Sequence, residues 1–248
     1  MLLLSTLKLS ALAWLLLNTL VGVAAPQTVQ PGAAAADQGA NVTSTASQAP
    51  VILVLGDSLS AGHGIEQDKG WVNLLQLQLQ AQHYPHHVVN ASISGETTQG
   101  GASRIGSLLK QYQPAIVLLE LGGNDGLRGL PPAVIRASLE TIIKTVRARA
   151  IALVLIGMRL PPNYGPQYTQ AFARLYQDLA TQYRLPLVPF LMQGFASNFQ
   201  LIQPDGIHPT QAAQPLMLQN VWPILLPLLE DKKLVDKAAV GKEQNVRH

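Results

Sequence analysis

Five short apolar runs, separated by longer stretches of helical pattern, constrain this chain more than any other feature. They are residues 51–55 (VILVL), 88–92 (VVNAS), 115–121 (AIVLLEL), 151–156 (IALVLI) and 186–190 (PLVPF). A strand with one wet face alternates apolar and polar residues, whereas these runs are nearly continuous, so both faces of their sheet must be covered. Between them lie residues 71–82, 102–112, 132–149 and 167–183, whose length and composition predict helices, one opening at Pro131-Pro132 and one closing near Gln182-Tyr183. Strands alternating with helices predict an α/β domain with a parallel sheet between two helical layers. Residues 210–229 are apolar but carry Pro215, Pro223 and Pro227, so a kinked or broken helix is expected there.

In such sheets, ligand sites gather beyond the C-terminal ends of the strands. The residues that follow each run should therefore make chemical sense together. Gly56-Asp57-Ser58 follows the first run, Ser94-Gly95-Glu96 the second and Gly122-Gly123-Asn124-Asp125 the third, and Asp205-Gly206-Ile207-His208-Pro209 precedes the last helix. On one edge these segments bring a hydroxyl, a glycine N–H, a side-chain amide, a carboxylate and an imidazole, each of which acyl transfer needs. A serine hydroxyl is a poor nucleophile until a base takes its proton, and His208 can do so at neutral pH. Asp205 can accept from His208 Nδ1–H, leaving Nε2 to face Ser58. The backbone N–H groups of Ser58 and Gly95 and the Asn124 amide are the candidate donors to an oxyanion. Glycine at 95 leaves room for a substrate to approach. Taken singly, these are ordinary features. Gly-Asp-Ser and Gly-Gly-Asn-Asp are good turn sequences, and Asp205 with His208 would suit a cap ahead of a helix, with Thr210 the better N-cap. Their joint order, with a different role at each strand end, points to serine-based hydrolysis.

GDSLSAG, NASISGETTQGG (90–101), LELGGNDGLRG (119–129), MRLPPNYG (158–165) and DGIHP (205–209) together resemble the SGNH/GDSL hydrolases, most of all the bacterial periplasmic thioesterase I, lysophospholipase and arylesterase type. The resemblance covers about residues 51–229. It implies a three-layer α/β/α flavodoxin-like fold with a five-stranded parallel sheet in the order 2-1-3-4-5. It also implies Ser58 as nucleophile, Ser58, Gly95 and Asn124 as the oxyanion hole, and Asp205 and His208 as orienter and base. Leu160 and Pro161 would lie beside the acyl chain. The expected activity is hydrolysis of carboxylic esters and thioesters through an acyl-Ser58 intermediate. A carbohydrate O-deacetylase on the same fold and a non-catalytic binding module are the alternatives. The stretch HGIEQDKG (63–70) falls outside the family pattern.

The N-terminal 25 residues hold Lys8, a Leu- and Ala-rich run and then small residues, the plan of a secretory signal. Gly22 and Ala24 suit a cut after Ala24, while Pro26 disfavours a cut after Ala25. The apolar run approaches the ~20 residues that span a bilayer, but Ser10 and Asn18 interrupt it, so cleavage and export to the periplasm or beyond are expected over anchoring. Residues 26–50 read as a flexible linker, 51–229 as the catalytic domain and 230–248 as a polar tail. The chain has no cysteine, which excludes disulfides, thiolate metal sites and a thiol nucleophile. Its net charge of +3 is dispersed, with no basic stripe interleaved with aromatics, so no nucleic-acid partner is expected. The expected partners are a small-molecule or lipid acyl ester or thioester, with membrane-lipid contact, and the chain is expected to act as a monomer. No P-loop, HExxH, complete G-x-G-x-x-G or G-x-S-x-G elbow occurs, and no cofactor or metal is expected. His83, His86 and His87 read as a solvated turn. Asn90-Ala91-Ser92 is a sequon placed in a core strand, Asp57 is read as fixing a turn, and Glu120 is assigned no role.

Overall fold

The computed structural model describes residues 49–66 and 68–231. The expected secretory signal, all but the last two residues of the linker and all but the first two of the tail lie outside the described residues. Strands β1 (Val51–Gly56), β2 (His87–Asn90), β3 (Ile116–Glu120), β4 (Ala152–Ile156) and β5 (Leu187–Val188) form one parallel sheet in the order β2-β1-β3-β4-β5. This is the order that the family resemblance implies. The chain starts in the middle and runs outward first one way and then the other, so the crevice at β1 and β3 is the switch point. The register aligns Gly56 with Glu120, which brings the ends of both strands level at that crevice.

Residues 52–55 of β1 and 116–119 of β3 are wholly buried, as near-continuous apolar runs require. Helices α1 (Ser58–Ala61), α2 (Trp71–Ala81), α3 (Thr98–Tyr112), α4 (Gly123–Leu127), α5 (Pro132–Arg147), α6 (Pro166–Tyr183) and α7 (Gln214–Leu229) complete the layers. In α5, Pro132 occupies the first turn, where its missing N–H costs nothing, and Ile135, Leu139, Ile142, Ile143 and Val146 line the buried face. The start of α3 lies four residues before the periodicity begins. Thr97 caps it, its Oγ1 accepting from Gly100 N at 3.1 Å, and the glycines that follow carry no apolar signal. Strand β5 is short because Pro186 and Pro189 bracket it and cannot donate to the ladder.

Three expectations change. The C-terminal segment is not broken: after a 3-10 turn (Gln211–Ala213), α7 is one continuous helix through Pro223 and Pro227. Pro215, Pro223 and Pro227 are spaced by multiples of four and all fall on the exposed face. The carbonyls of Gln219 and Pro223, which lose their helical donors, are at exposed positions where water can replace them. His86 is not solvated but only 4% exposed. Gln76 on α2 accepts from Val88 N at 2.7 Å and donates to the His86 carbonyl at 3.3 Å, drawing this segment under the helix. Burial lowers the His86 pKa and so favours the neutral ring. Finally, β2 is an edge strand. Asn90 is exposed, and its amide donates to the Ser60 carbonyl at 2.8 Å.

Two glycines separate close packing from mere flexibility. A Cβ on Gly157 would lie 2.5 Å from the Pro189 carbonyl oxygen, a backbone atom that cannot move aside, whereas one on Gly106 in α3 meets nothing within 4 Å. Gly157→Ala is expected to lower stability in urea unfolding by about 1–3 kcal/mol, and Gly106→Ala to raise it by about 0.5–1 kcal/mol.

Candidate active site

Strand β1 leaves the sheet at Gly56 and turns at once into α1, of which Ser58 is the first residue. Asp57 is the N-cap, its Oδ1 accepting from Leu59 N at 3.0 Å, so the expectation that it fixes the turn agrees with the geometry. A backbone N–H at the first helical position, such as that of Ser58, has no intrahelical acceptor. Beneath the turn lies Glu120. Its Oε2 accepts from Ser60 Oγ at 2.6 Å and from Asp57 N at 3.2 Å. A Cβ on Gly56 would stand 2.6 Å from that oxygen, so only glycine permits the approach.

The opposite wall is a small hairpin. Ile202 bridges Pro209, Gln203 N donates to the His208 carbonyl at 2.7 Å, and Gly206 makes the turn at φ 75°. Asp205 Oδ1 accepts from Ile207 N and His208 N at 2.9 and 3.0 Å, and Oδ2 lies 2.6 Å from His208 Nδ1. Partial burial pushes the Asp205 carboxyl up, but the two backbone donors and the His208 ring outweigh this and hold its pKa at about 2. A carboxylate can only accept, so Nδ1 is the donor in that bond. In the neutral ring Nε2 is then the acceptor, and it lies 2.8 Å from Ser58 Oγ. Ser58, His208 and Asp205 thus form one hydrogen-bonded chain, with 150 residues of sequence between the serine and the histidine.

Gly95 has φ +81° and faces open space, so its glycine answers a backbone demand. Its neighbour Glu96 is 9% exposed and ion-paired with Arg104 of α3, whose guanidinium also donates to the Ala91 carbonyl at 2.5 Å. Asn124, in α4, donates from Nδ2 to the Glu96 carbonyl at 3.0 Å and to Asp57 Oδ2 at 3.2 Å. Asp125 ties α4 to α3 by accepting from Thr98 N at 2.9 Å and Thr98 Oγ1 at 2.7 Å. Leu160 packs against α4, where a Cβ on Gly126 would meet its Cδ2 at 2.7 Å, and Pro161 is exposed.

Sequence reasoning named the reacting groups but not their supports. Glu120, Glu96, Arg104, Asp125 and Thr98 passed unassigned. Their one sequence signal was position, since four of the five stand within or beside the segments that follow strands. Two buried acids sit together here. Burial raises Asp57 to about 6 against the pull of Leu59 N–H, the His208 ring and Asn124. Glu120 is raised well above the usual range, first by complete burial and then by the charge of Asp57.

Parallel sheet, switch-point crevice and the hydrogen-bonded chain from Ser58 through His208 to Asp205 define the SGNH class of hydrolases. The sequence pattern of the GDSL-like Lipase/Acylhydrolase family matches residues 54–215, and the chain belongs to that family. It is 49% identical over 181 residues to the esterase TesA of Pseudomonas aeruginosa, covering 73% of this chain and 90% of that protein. It is 44% identical over 188 residues to the thioesterase 1/protease 1/lysophospholipase L1 of Escherichia coli, covering 76% and 89%. Among solved structures it resembles the psychrotrophic esterase EstA from Pseudoalteromonas, inhibited by monoethylphosphonate. That likeness has a TM-score of 0.70 at 39% identity and covers 73% of this chain and 99% of EstA.

The buried acids set a pH dependence of stability. Their folded pKa values lie above the unfolded ones, so the native state holds the extra protons. Their contribution is full below about pH 4 and falls as pH rises. Glu120→Gln, which keeps an acceptor for Ser60 and Asp57 N–H, is expected to lose less Tm between about pH 5 and about pH 9 than the wild type. Parallel Tm curves would show that Glu120 ionises freely.

Proposed function

We propose that this chain hydrolyses carboxylic esters and thioesters by a double displacement at Ser58. The observation that carries the reading is the unbroken hydrogen-bond chain from Ser58 Oγ through His208 to Asp205. Ser58 Oγ attacks the acyl carbon as its proton passes to His208 Nε2, and Asp205 holds the ring and balances the imidazolium. The developing oxyanion lies among the Ser58 and Gly95 backbone N–H groups and the Asn124 amide. His208 then protonates the departing alcohol or thiol. Water, deprotonated by the same nitrogen, attacks the acyl-Ser58 carbonyl and releases the acid.

An apolar acyl group is favoured over acetate. Ile93 and Ile207, two and one residues from Gly95 and His208, are 52% and 41% exposed apolar side chains, and in this reading Leu160 and Pro161 join them as an apolar rim beside the acyl chain. This rim is also what supports contact with membrane lipid. Residues 1–25 act in this reading as a cleaved secretory signal that delivers a monomeric domain of residues 51–229, on its linker, to the periplasm or beyond. Among the described residues, no helix is long and apolar enough to cross a membrane.

Assayed on p-nitrophenyl esters from acetate to palmitate, the full chain is expected to cleave medium and long chains, and Ser58→Ala to lose all cleavage. Retained cleavage in that variant would sink the mechanism, and activity confined to acetate would move the substrate to acetylated sugars. Asn124→Ala is expected to lower kcat by about 10²–10³ with little change in KM. A mature N-terminus other than Ala25 or its immediate neighbours, read by mass spectrometry of exported protein, would overturn the signal assignment.

A further inference from the structure

A second imidazole stands beside the first. His63 follows α1, and its ring centroid lies 4.4 Å from that of His208, with the planes tilted by 42°. The pairing is built into the backbone. Gly62 and Gly64, on either side of His63, both have left-handed φ values of +77° and +70°. Gln203 Nε2 donates to the His63 carbonyl at 2.8 Å and to the Pro209 carbonyl at 2.9 Å, clasping the His63 loop to the hairpin that carries Asp205 and His208. A Cβ on Gly64 would stand 2.3 Å from Gln203 Oε1, so glycine lets the clasp close. One ligand atom from each of His63, Asp205 and His208 then lies within 4.8 Å of the others.

We propose that His63, Asp205 and His208 form a site for a divalent transition-metal ion of the zinc type, and that its occupancy switches hydrolysis off. Two imidazoles and one carboxylate, with water in a fourth position, are a donor set that Zn²⁺ takes at about 2.0–2.2 Å. His63 and Asp205 are exposed, so ion and ligands can meet by movement of side chains alone. Asp205 Oδ1 is already held by two backbone N–H groups, which leaves Oδ2 for the ion and fixes its direction. Whichever ring nitrogen of His208 is used, the base is lost. On Nε2 the ion takes the lone pair that would receive the Ser58 proton. On Nδ1 it replaces the proton shared with Asp205, and the neutral ring then carries its one proton on Nε2, facing Ser58 as a donor. Copper(II) or nickel(II) would suit the same nitrogens.

Metal binding stands on its own geometry, while the switch rests on the reading of His208 as base, and the two are measured separately. Zinc chloride is titrated calorimetrically into the full chain, and into His63→Phe, which keeps an aromatic ring over His208, and His63→Asn. One ion per chain is expected, with affinity lower by about tenfold or more in both variants. Both variants should hydrolyse p-nitrophenyl butyrate as the wild type does, need about tenfold more zinc for half-inhibition, and recover with EDTA. Zinc binding unchanged in both variants, as through the exposed His83 and His87, would overturn the site. Zinc that binds through His63 and leaves hydrolysis untouched would overturn the switch, whereas failure of the serine mechanism itself shows in Ser58→Ala.

Discussion

At the C-terminal end of β3, Glu120 is wholly buried, and a single oxygen of its carboxyl accepts from both Asp57 N and Ser60 Oγ. The turn that presents Ser58 lies between those two donors. Register puts Glu120 beside Gly56, and only glycine there leaves the carboxyl room. From this contact Asp57 is set to cap α1 and to meet Asn124, and Asn124 is set to meet the loop of Gly95. A bare charge buried so deeply costs several kcal/mol, and taking up a proton is the cheaper state, which agrees with its raised pKa. The active edge therefore rests on an acid that burial drives towards its protonated form.

Three aspartates show how environment divides one side chain among roles. Asp57, buried against the turn, is pushed up to about 6, whereas Asp205, partly exposed and fed by two backbone donors, is held at about 2. The first shapes the nucleophile's turn, and the second stays ionised through the pH range in which imidazole works. Asp125 does neither and fastens α4 to the start of α3. The Glu96/Arg104 ion pair in turn ties the loop of Gly95 to α3. Electrostatic stabilisation depends on such preorganisation, because donors that must first reorient lose much of their advantage.

The hairpin of Asp205 and His208 is tied down differently. It meets the nucleophile's side through the bond to Ser58 and through Gln203, whose amide spans both loops. Its base is buried at Ile202 and Pro209, while polar contacts hold its tip. Asp205 is the exposed member of the chain, His208 is half-buried, and the exposed His63 lies against the His208 ring.

The sequence alone determined the order of strands and helices, because continuous apolar runs have one low-energy home, the middle of a covered sheet. It also determined the candidate reacting groups, Ser58, Gly95, Asn124, Asp205 and His208, since the loops beyond such strands converge on one edge. Tertiary structure alone decided which acids are buried, because Glu120 and Asp57 meet across 63 residues of chain and no local pattern encodes that distance. It also placed His86 in the interior and His63 against His208. The prolines of α7 read as helix breakers until their shared solvent face was known. Local propensity records what a residue does to its own backbone, whereas burial, pKa and pairing depend on neighbours that only the completed fold supplies.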